Sequence, residues 1–174
     1  GIGINAVQGA AHAGATHVIA VDPVEMKREM AQKLGATHSF ETMQEAGDFA
    51  RSVTDGQGAD AAIVTTGVVK TEHITQAFES VRKAGTVVVT GIGGDDARVD
   101  LPAFELTLYQ KRIQGALFGA SSPSRDIPWM LRMYQSGQLK LDDLITTTYT
   151  LDEINQGYAD MHAGKNIRGV IIYD

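Results

Sequence analysis

The sequence predicts an α/β fold in which a parallel sheet is covered by helices on both faces. Three observations carry that reading. Short apolar runs alternate with amphipathic helical runs along most of the chain, the pattern of strands joined by crossover helices. The apolar runs are nearly continuous rather than alternating, as strands buried on both faces require. Many of the 19 glycines fall where strands should end.

Taken in order, Asn5 to Ala13 has helical spacing, and His17–Asp22 reads as a short buried strand that Pro23 stops. Glu25–Leu34 is predicted helical, with Met26, Met30, Ala31 and Leu34 on one face and Gly35 as its C-cap. Thr37–Phe40 is a short strand. Gln44–Val53 is an amphipathic helix closed by the turn Thr54-Asp55-Gly56-Gln57-Gly58. A buried strand, Ala59–Thr65, ends at Thr66-Gly67. The helix Thr71–Arg82 presents Ile74, Ala77, Phe78 and Val81, and is capped by Lys83-Ala84-Gly85. Thr86–Thr90 is the most β-prone stretch, broken by Gly91-Ile92-Gly93-Gly94. After residue 94 the pattern changes. Asp95–Asp100 is a polar loop, Leu101–Leu108 is apolar, and Lys111–Phe118 reads as a strand ending at Gly119. Ser121–Ser124 is a helix start leading into Ile127–Tyr134. A last unit comprises a strand at Ile145–Tyr149, a helix at Leu151–His162 stopped by Gly164, and a strand at Gly169–Tyr173. The doubly wound pattern ends near Gly119–Ser124, which divides the chain into residues 1–119 and 120–174.

At 174 residues the chain is long enough to bury a substantial core. Hydrophobic residues at 43% and charged residues at 21% fit a soluble globular protein. A net charge of −6 with no basic cluster argues against nucleic acid as a partner. No apolar run is long enough to cross a bilayer, so no membrane role is expected. The absence of cysteine excludes disulfides and thiolate zinc ligands, and fits a cytoplasmic location. The five histidines are scattered, without metal-ligand spacing.

The chemistry-bearing pattern lies at the start. Gly1-Ile2-Gly3 looks like the tail of a glycine-rich loop, a helix and a strand follow, and Asp22 lies about twenty residues on. That is the fingerprint of a Rossmann βαβ unit. Glycine lets the backbone approach a pyrophosphate, and the helix start points N–H groups and partial positive charge at it. A carboxylate ending the second strand can accept hydrogen bonds from both ribose hydroxyls and repels the extra phosphate of NADP. Asp22 before Pro23 can equally act as a helix cap, and both roles can hold. The first half of the glycine motif and the strand before it are not seen, so the expected sheet is a Rossmann-type doubly wound sheet lacking its first strand.

The chain resembles the C-terminal part of the zinc-dependent, medium-chain alcohol dehydrogenases. The marks are Gly1-Ile2-Gly3, Val21-Asp22 with Lys27 beyond it, Leu34-Gly35-Ala36-Thr37, Thr66-Gly67, Val88-Val89-Thr90-Gly91-Ile92, Gly115-Ala116-Leu117-Phe118-Gly119 and Gly164-Lys165-Asn166-Ile167-Arg168-Gly169. The run INAVQGAAHAGA resembles an actinobacterial branch that includes nicotinoprotein-like alcohol dehydrogenases and thiol-dependent formaldehyde dehydrogenases. The resemblance implies NAD as cofactor and hydride transfer between nicotinamide and a small alcohol or aldehyde. It implies zinc in the parent protein, held by Cys and His ligands in an N-terminal catalytic domain that falls outside this sequence, with residues 120–174 returning to that domain. It also implies homo-oligomers. Rival readings are a zinc-free quinone or enone reductase of the same superfamily and a non-catalytic NAD-binding module.

Carried onto this sequence, the family's cofactor positions are Gly1, Ile2, Gly3, Asp22, Lys27, Thr66, Gly67, Thr90, Gly91, Ile92, Ala116, Leu117, Phe118 and Arg168. Backbone groups matching Thr90, Ala116 and Phe118 hold the nicotinamide carboxamide, Lys27 lies near the adenosine ribose, and Arg168 neutralises the pyrophosphate. No catalytic or metal-ligating residue is expected within the chain.

Overall fold

The structure, a computed structural model, describes residues 1–173. Helix α1 (Ile2–His12) is followed by β1 (Ile19–Val21), α2 (Glu25–Lys33), β2 (His38–Phe40) and α3 (Met43–Ser52). Strands β1 and β2 pair in parallel, with Ile19 opposite His38 and Val21 opposite Phe40. Next come β3 (Ala59–Val64), α4 (Thr71–Ser80), β4 (Val81–Val89), α5 (Ala103–Leu108) and β5 (Arg112–Gly115), which build a parallel sheet in the order β3-β4-β5. Then α6 (Pro123–Gln135), β6 (Ile145–Tyr149), α7 (Ile154–His162) and β7 (Arg168–Ile171) complete the described elements, β6 lying parallel to β7.

The sheet is parallel, as the apolar strands required, and it is split. A doubly wound sheet in the order 3-2-1-4-5-6 that lacks strand 1 leaves two strands on one side and three on the other. That is the division seen between β2-β1 and β3-β4-β5. Among the described residues β1 pairs only with β2, and β3 only with β4. Ile63 in β3 is consequently 48% exposed, an open flank for a strand of this kind. The halves still meet. Gly3 at the start of α1 lies against Thr65, and α3 packs on β3 and α4.

Each half has its own core. In the first, Ile4, Val18, Ala31, Leu34 and Ala36 pack with Leu144 and Ile167 from far along the chain. In the second, Val64, Val69, Ile74, Ala77, Phe78, Val81 and Val87 come from one continuous stretch, flanked by Leu101 and Ile113. A buried glutamine, Gln8, ties α1 to the later chain. Its side chain donates to the Lys140 carbonyl and accepts from the Lys140 amide, at 2.9 and 2.8 Å. Both polar ends of a buried amide are thereby satisfied.

Several boundaries differ from the sequence reading, each for a local reason. The helix expected to reach Arg82 ends at Ser80, and Val81 already pairs with Ala59. A Cβ on Gly58 would lie 2.6 Å from the Ser80 carbonyl, so that glycine lets β3 run hard against the helix end. Residues 82–85 then loop out, with Ala84 left-handed at φ 58°. The strand expected over Lys111–Phe118 is only Arg112–Gly115. It stops because Phe118, Gly119 and Ala120 take successive left-handed conformations, with φ of 49°, 68° and 54°. The apolar stretch Leu101–Leu108 contains the short helix α5, which begins just after Pro102. Helix α6 starts at Pro123 rather than Ile127, since a proline at the first helical position loses no hydrogen bond. Leu151–Glu153 forms a single 3₁₀ turn before α7, and the last strand runs Arg168–Ile171.

Candidate functional site

Two clusters of the expected residues stand at the C-terminal ends of the parallel strands. The first surrounds the start of α1. The N-cap residue of that helix, Gly1, carries no side chain, and among the described residues none caps the leading N–H groups, which a helix start offers to a ligand. A Cβ on Gly3 would sit 2.8 Å from Thr65 Oγ1, so a larger residue would displace that threonine. Gly1 lies beside the carbonyl of Ile167, immediately before Arg168. The charged groups of Lys27, Arg168 and Asp22 all lie near enough to Gly1 to act on it electrostatically. The structure thus brings Gly1, Asp22, Lys27 and Arg168 together, although they are spread over the whole sequence.

Asp22 is not the cap of α2, whose N-cap residue is Val24 with no side-chain bond; its carboxylate instead closes the turn that precedes the helix. Its Oδ1 accepts from the Val24 amide at 2.9 Å, and its main-chain carbonyl accepts from Arg28 Nη1 at 2.8 Å. These contacts fix the carboxylate at the end of β1 and leave Oδ2 outside the bond to Val24. Lys27, one turn into α2, packs against Gly164, whose left-handed φ of 68° ends α7. Arg168 opens β7 and is exposed.

The second cluster is built from backbone. The Thr90 amide and hydroxyl and the Gly91 amide all donate to the Val64 carbonyl, at 3.0, 3.1 and 3.3 Å. Gly91 lies directly beneath the Thr66 carbonyl, and a Cβ there would also come within 2.6 Å of Val69 Cγ2. The Val69 amide donates to the Ile92 carbonyl at 3.1 Å, which stitches the loops after β3 and β4 together. Gly67, by contrast, faces open space. The buried Ala116 donates its amide to Val89 O, whereas Ile92, Leu117 and Phe118 are exposed by 73%, 68% and 82%. Exposed apolar side chains thus stand just beyond the ends of the adjacent strands β4 and β5, above loops held by backbone hydrogen bonds.

Sequence reasoning missed several residues that hold these clusters. His73 Nδ1 accepts the Lys70 amide at 3.1 Å and lies 3.2 Å from Thr66 Oγ1, which ties α4 to the end of β3. Lys111 is buried and donates to Glu105 Oε2 and to the Phe78 carbonyl, at 2.8 and 2.9 Å. A lysine at a strand start reads as solvated charge. Nothing local to it reveals that a carbonyl of α4 and a carboxylate of α5 converge there. Tyr149, Asp160 and Asn166 form a polar network beside Arg168, again invisible to periodicity.

Zinc does not fit this chain. The sequence has no cysteine, and among the described residues no three His, Asp or Glu side chains come together as a ligand set. No helix of the described residues is long and apolar enough to cross a membrane.

A split Rossmann sheet, with an acid and two basic side chains gathered at an uncapped helix start and glycine-bearing strand ends beside them, defines a nucleotide-binding α/β protein of the dehydrogenase type. Comparison with known proteins makes the class specific: residues 1–136 match the zinc-binding dehydrogenase family, and the chain belongs to it. It is 52% identical over 174 residues to an NDMA-dependent alcohol dehydrogenase of Amycolatopsis methanolica, matching 99% of this chain and 47% of that protein. The benzyl alcohol dehydrogenase of Acinetobacter calcoaceticus has the same fold, with a TM-score of 0.89 and 32% identity over 98% of this chain and 46% of that one. A zinc-binding dehydrogenase of Sinorhizobium meliloti 1021, bound to NADP, superposes with a TM-score of 0.75 and 27% identity over 89% of this chain and 44% of that one. The chain therefore spans about half the length of the relatives it matches. The resemblance read from the short motifs is the family found.

Proposed function

We propose that this chain is the cofactor-binding portion of an NAD-dependent alcohol dehydrogenase, and that it holds the dinucleotide across the two clusters just described. The observation that carries the reading is the gathering of Asp22, Lys27 and Arg168 around the uncapped start of α1. A pyrophosphate is recognised by that combination of oriented N–H groups and guanidinium. Asp22 accepts the ribose hydroxyls, with Lys27 beside them. Gly1, Ile2 and Gly3 give the phosphates a close backbone approach. Thr66, Gly67, Thr90, Gly91, Ile92, Ala116, Leu117 and Phe118 form a shelf for the nicotinamide, whose amide is oriented by backbone groups. When bound, the nicotinamide supplies hydride transfer. This chain's residues bind it, fix one ring face and cover part of its surface.

The substrate in this reading is a small alcohol or aldehyde, as the names of the relatives suggest. Residues 1–119 are the cofactor domain, and 120–174 return to a catalytic domain. The apolar Ile127, Trp129 and Leu131 of α6, each about half exposed, are suited to cover such a partner. Self-association runs through residues 101–118, where β5 has an open edge and Phe104 and Leu108 are exposed. The protein is cytoplasmic in this reading.

The test is cofactor choice. In the intact protein NAD should bind more tightly than NADP, because the Asp22 carboxylate repels a 2′-phosphate. Asp22→Gly should weaken NAD by about 1.5–3 kcal/mol, the worth of a charge-assisted hydrogen bond, and should narrow the gap to NADP. Calorimetric titration of both cofactors measures this, and tighter NADP binding by the unmutated protein would refute it.

A further inference from the structure

Arg168 is set at an irregularity in the β6–β7 ladder. Ile145 lies opposite Arg168, but the next pair is Thr147 with Gly169, so Thr146 is an extra residue on β6. Its hydroxyl replaces the missing ladder partner, accepting the Ile167 amide at 3.0 Å. A β-bulge of this kind bends the strand pair and re-aims the side chains beside it.

A second device grips the same turn of chain. The hydroxyl of the buried Tyr149 accepts from Asn166 Nδ2 at 3.1 Å and donates to Asp160 Oδ2 at 3.0 Å. Asp160 Oδ1 is in turn held by Lys165 and Gln156. The Tyr149 ring lies between two glycines. A Cβ on Gly157 would sit 3.4 Å from the ring and one on Gly169 only 2.8 Å from it. Tyr149 therefore holds Asn166 on one side of Arg168 and Gly169 on the other.

From this arrangement we propose that Thr146 and Tyr149 are positioning residues that aim the Arg168 guanidinium at the cofactor's pyrophosphate. Neither residue touches the phosphate. The bulge falls at Arg168 itself, and the carbonyl just before it, that of Ile167, lies beside Gly1 at the start of α1. The tyrosine clamp keeps the backbone from relaxing back. The clamp also explains why a buried asparagine precedes this strand start and a glycine follows Arg168.

The inference rests on the reading that Arg168 binds the pyrophosphate, and a double-mutant cycle in the intact protein separates the two claims. NAD and adenosine, which lacks phosphate, are titrated into the wild type, Arg168→Ala, Tyr149→Phe, Thr146→Val and the two double variants with Arg168→Ala. Arg168→Ala should lose at least tenfold in NAD affinity and leave adenosine unchanged. Tyr149→Phe and Thr146→Val should each lose roughly three- to tenfold for NAD alone, and should add nothing in the Arg168→Ala background. The use of two independent conservative variants guards against one of them misfolding. An unchanged NAD affinity in Arg168→Ala would overturn the pyrophosphate reading and the inference with it. A normal Arg168→Ala result, with Tyr149→Phe and Thr146→Val weakening adenosine equally or acting in full without Arg168, would overturn the inference alone.

Discussion

The two halves of the split sheet are built on different plans. The half containing β1 and β2 closes its core with Leu144 and Ile167, residues more than a hundred positions away, and gathers the charged residues Asp22, Lys27 and Arg168. The half containing β3, β4 and β5 fills its core from residues 64–87 with two later additions, and ends in an exposed apolar shelf. The difference separates two kinds of recognition. Charge complementarity is assembled from distant chain segments, whereas the shelf depends on backbone placement within one local unit. The dinucleotide proposed above, charged at its middle and flat at one end, would draw on both.

The sharpest way to break this comparison is through Phe78, which is fully buried in the second core. Phe78→Ala should cost about 3–5 kcal/mol by the transfer and cavity terms. Hydrogen exchange should show amides of β3, β4 and β5 losing protection before those of β1 and β2, because the two cores share no residue. A uniform loss of protection would show that the halves form one cooperative unit.

A smaller effect sharpens the claim about the shelf. Gly91→Ala drives a methyl group into the Thr66 carbonyl and Val69, and should destabilise the protein by about 1–3 kcal/mol in urea unfolding. Gly67→Ala, a few residues away across the same loop pair, meets open space and should fall within about 0.5 kcal/mol of wild type. Equal costs at the two glycines would mean that the loops beneath the shelf are not held by backbone contact.

The smallest expected effect concerns acid. The Asp160 carboxyl is held below the ordinary aspartate range by the Lys165 ammonium first, and then by the Tyr149 hydroxyl, with the Gln156 amide adding to it. A group depressed in the folded state contributes fully above its unfolded value and loses that contribution as pH falls through its folded one. Melting temperatures followed from about pH 7 down to about pH 2 should therefore drop on this account only in the acid limb. Asp160→Asn should flatten that limb. The gap between the two proteins should be widest at neutral pH and close in acid, and a gap that stays constant from about pH 7 to about pH 2 would contradict the assignment.

The fold was largely legible in the sequence, because parallel strands announce themselves as continuous apolar runs and glycines punctuate their ends. Asp22 was legible too, since its distance from Gly3 is set by one helix and one strand. What escaped were features made by tertiary pairing. The early end of α4 at Ser80 depends on Gly58 approaching from another strand, and the end of β5 depends on three left-handed residues of which only one is glycine. The family motif around Arg168 indicated a role for that residue, but the bulge at Thr146 and the clamp by Tyr149 belong to pairing between β6 and β7. Local patterns carry no information on such register shifts.

The placement of Leu144 and Ile167 has a consequence for how the chain is made. Synthesis runs from the N-terminus, and segments settle as their partners emerge from the ribosome. The second core can close once residue 113 is outside, since all of its members are then present. The first, although several of its members are made before those of the second, must wait for Ile167. Until then Ile4, Val18 and Leu34 have an unfilled neighbour and are exposed to the folding machinery of the cell. Of the two cores, the one begun first is thus the later to be sealed.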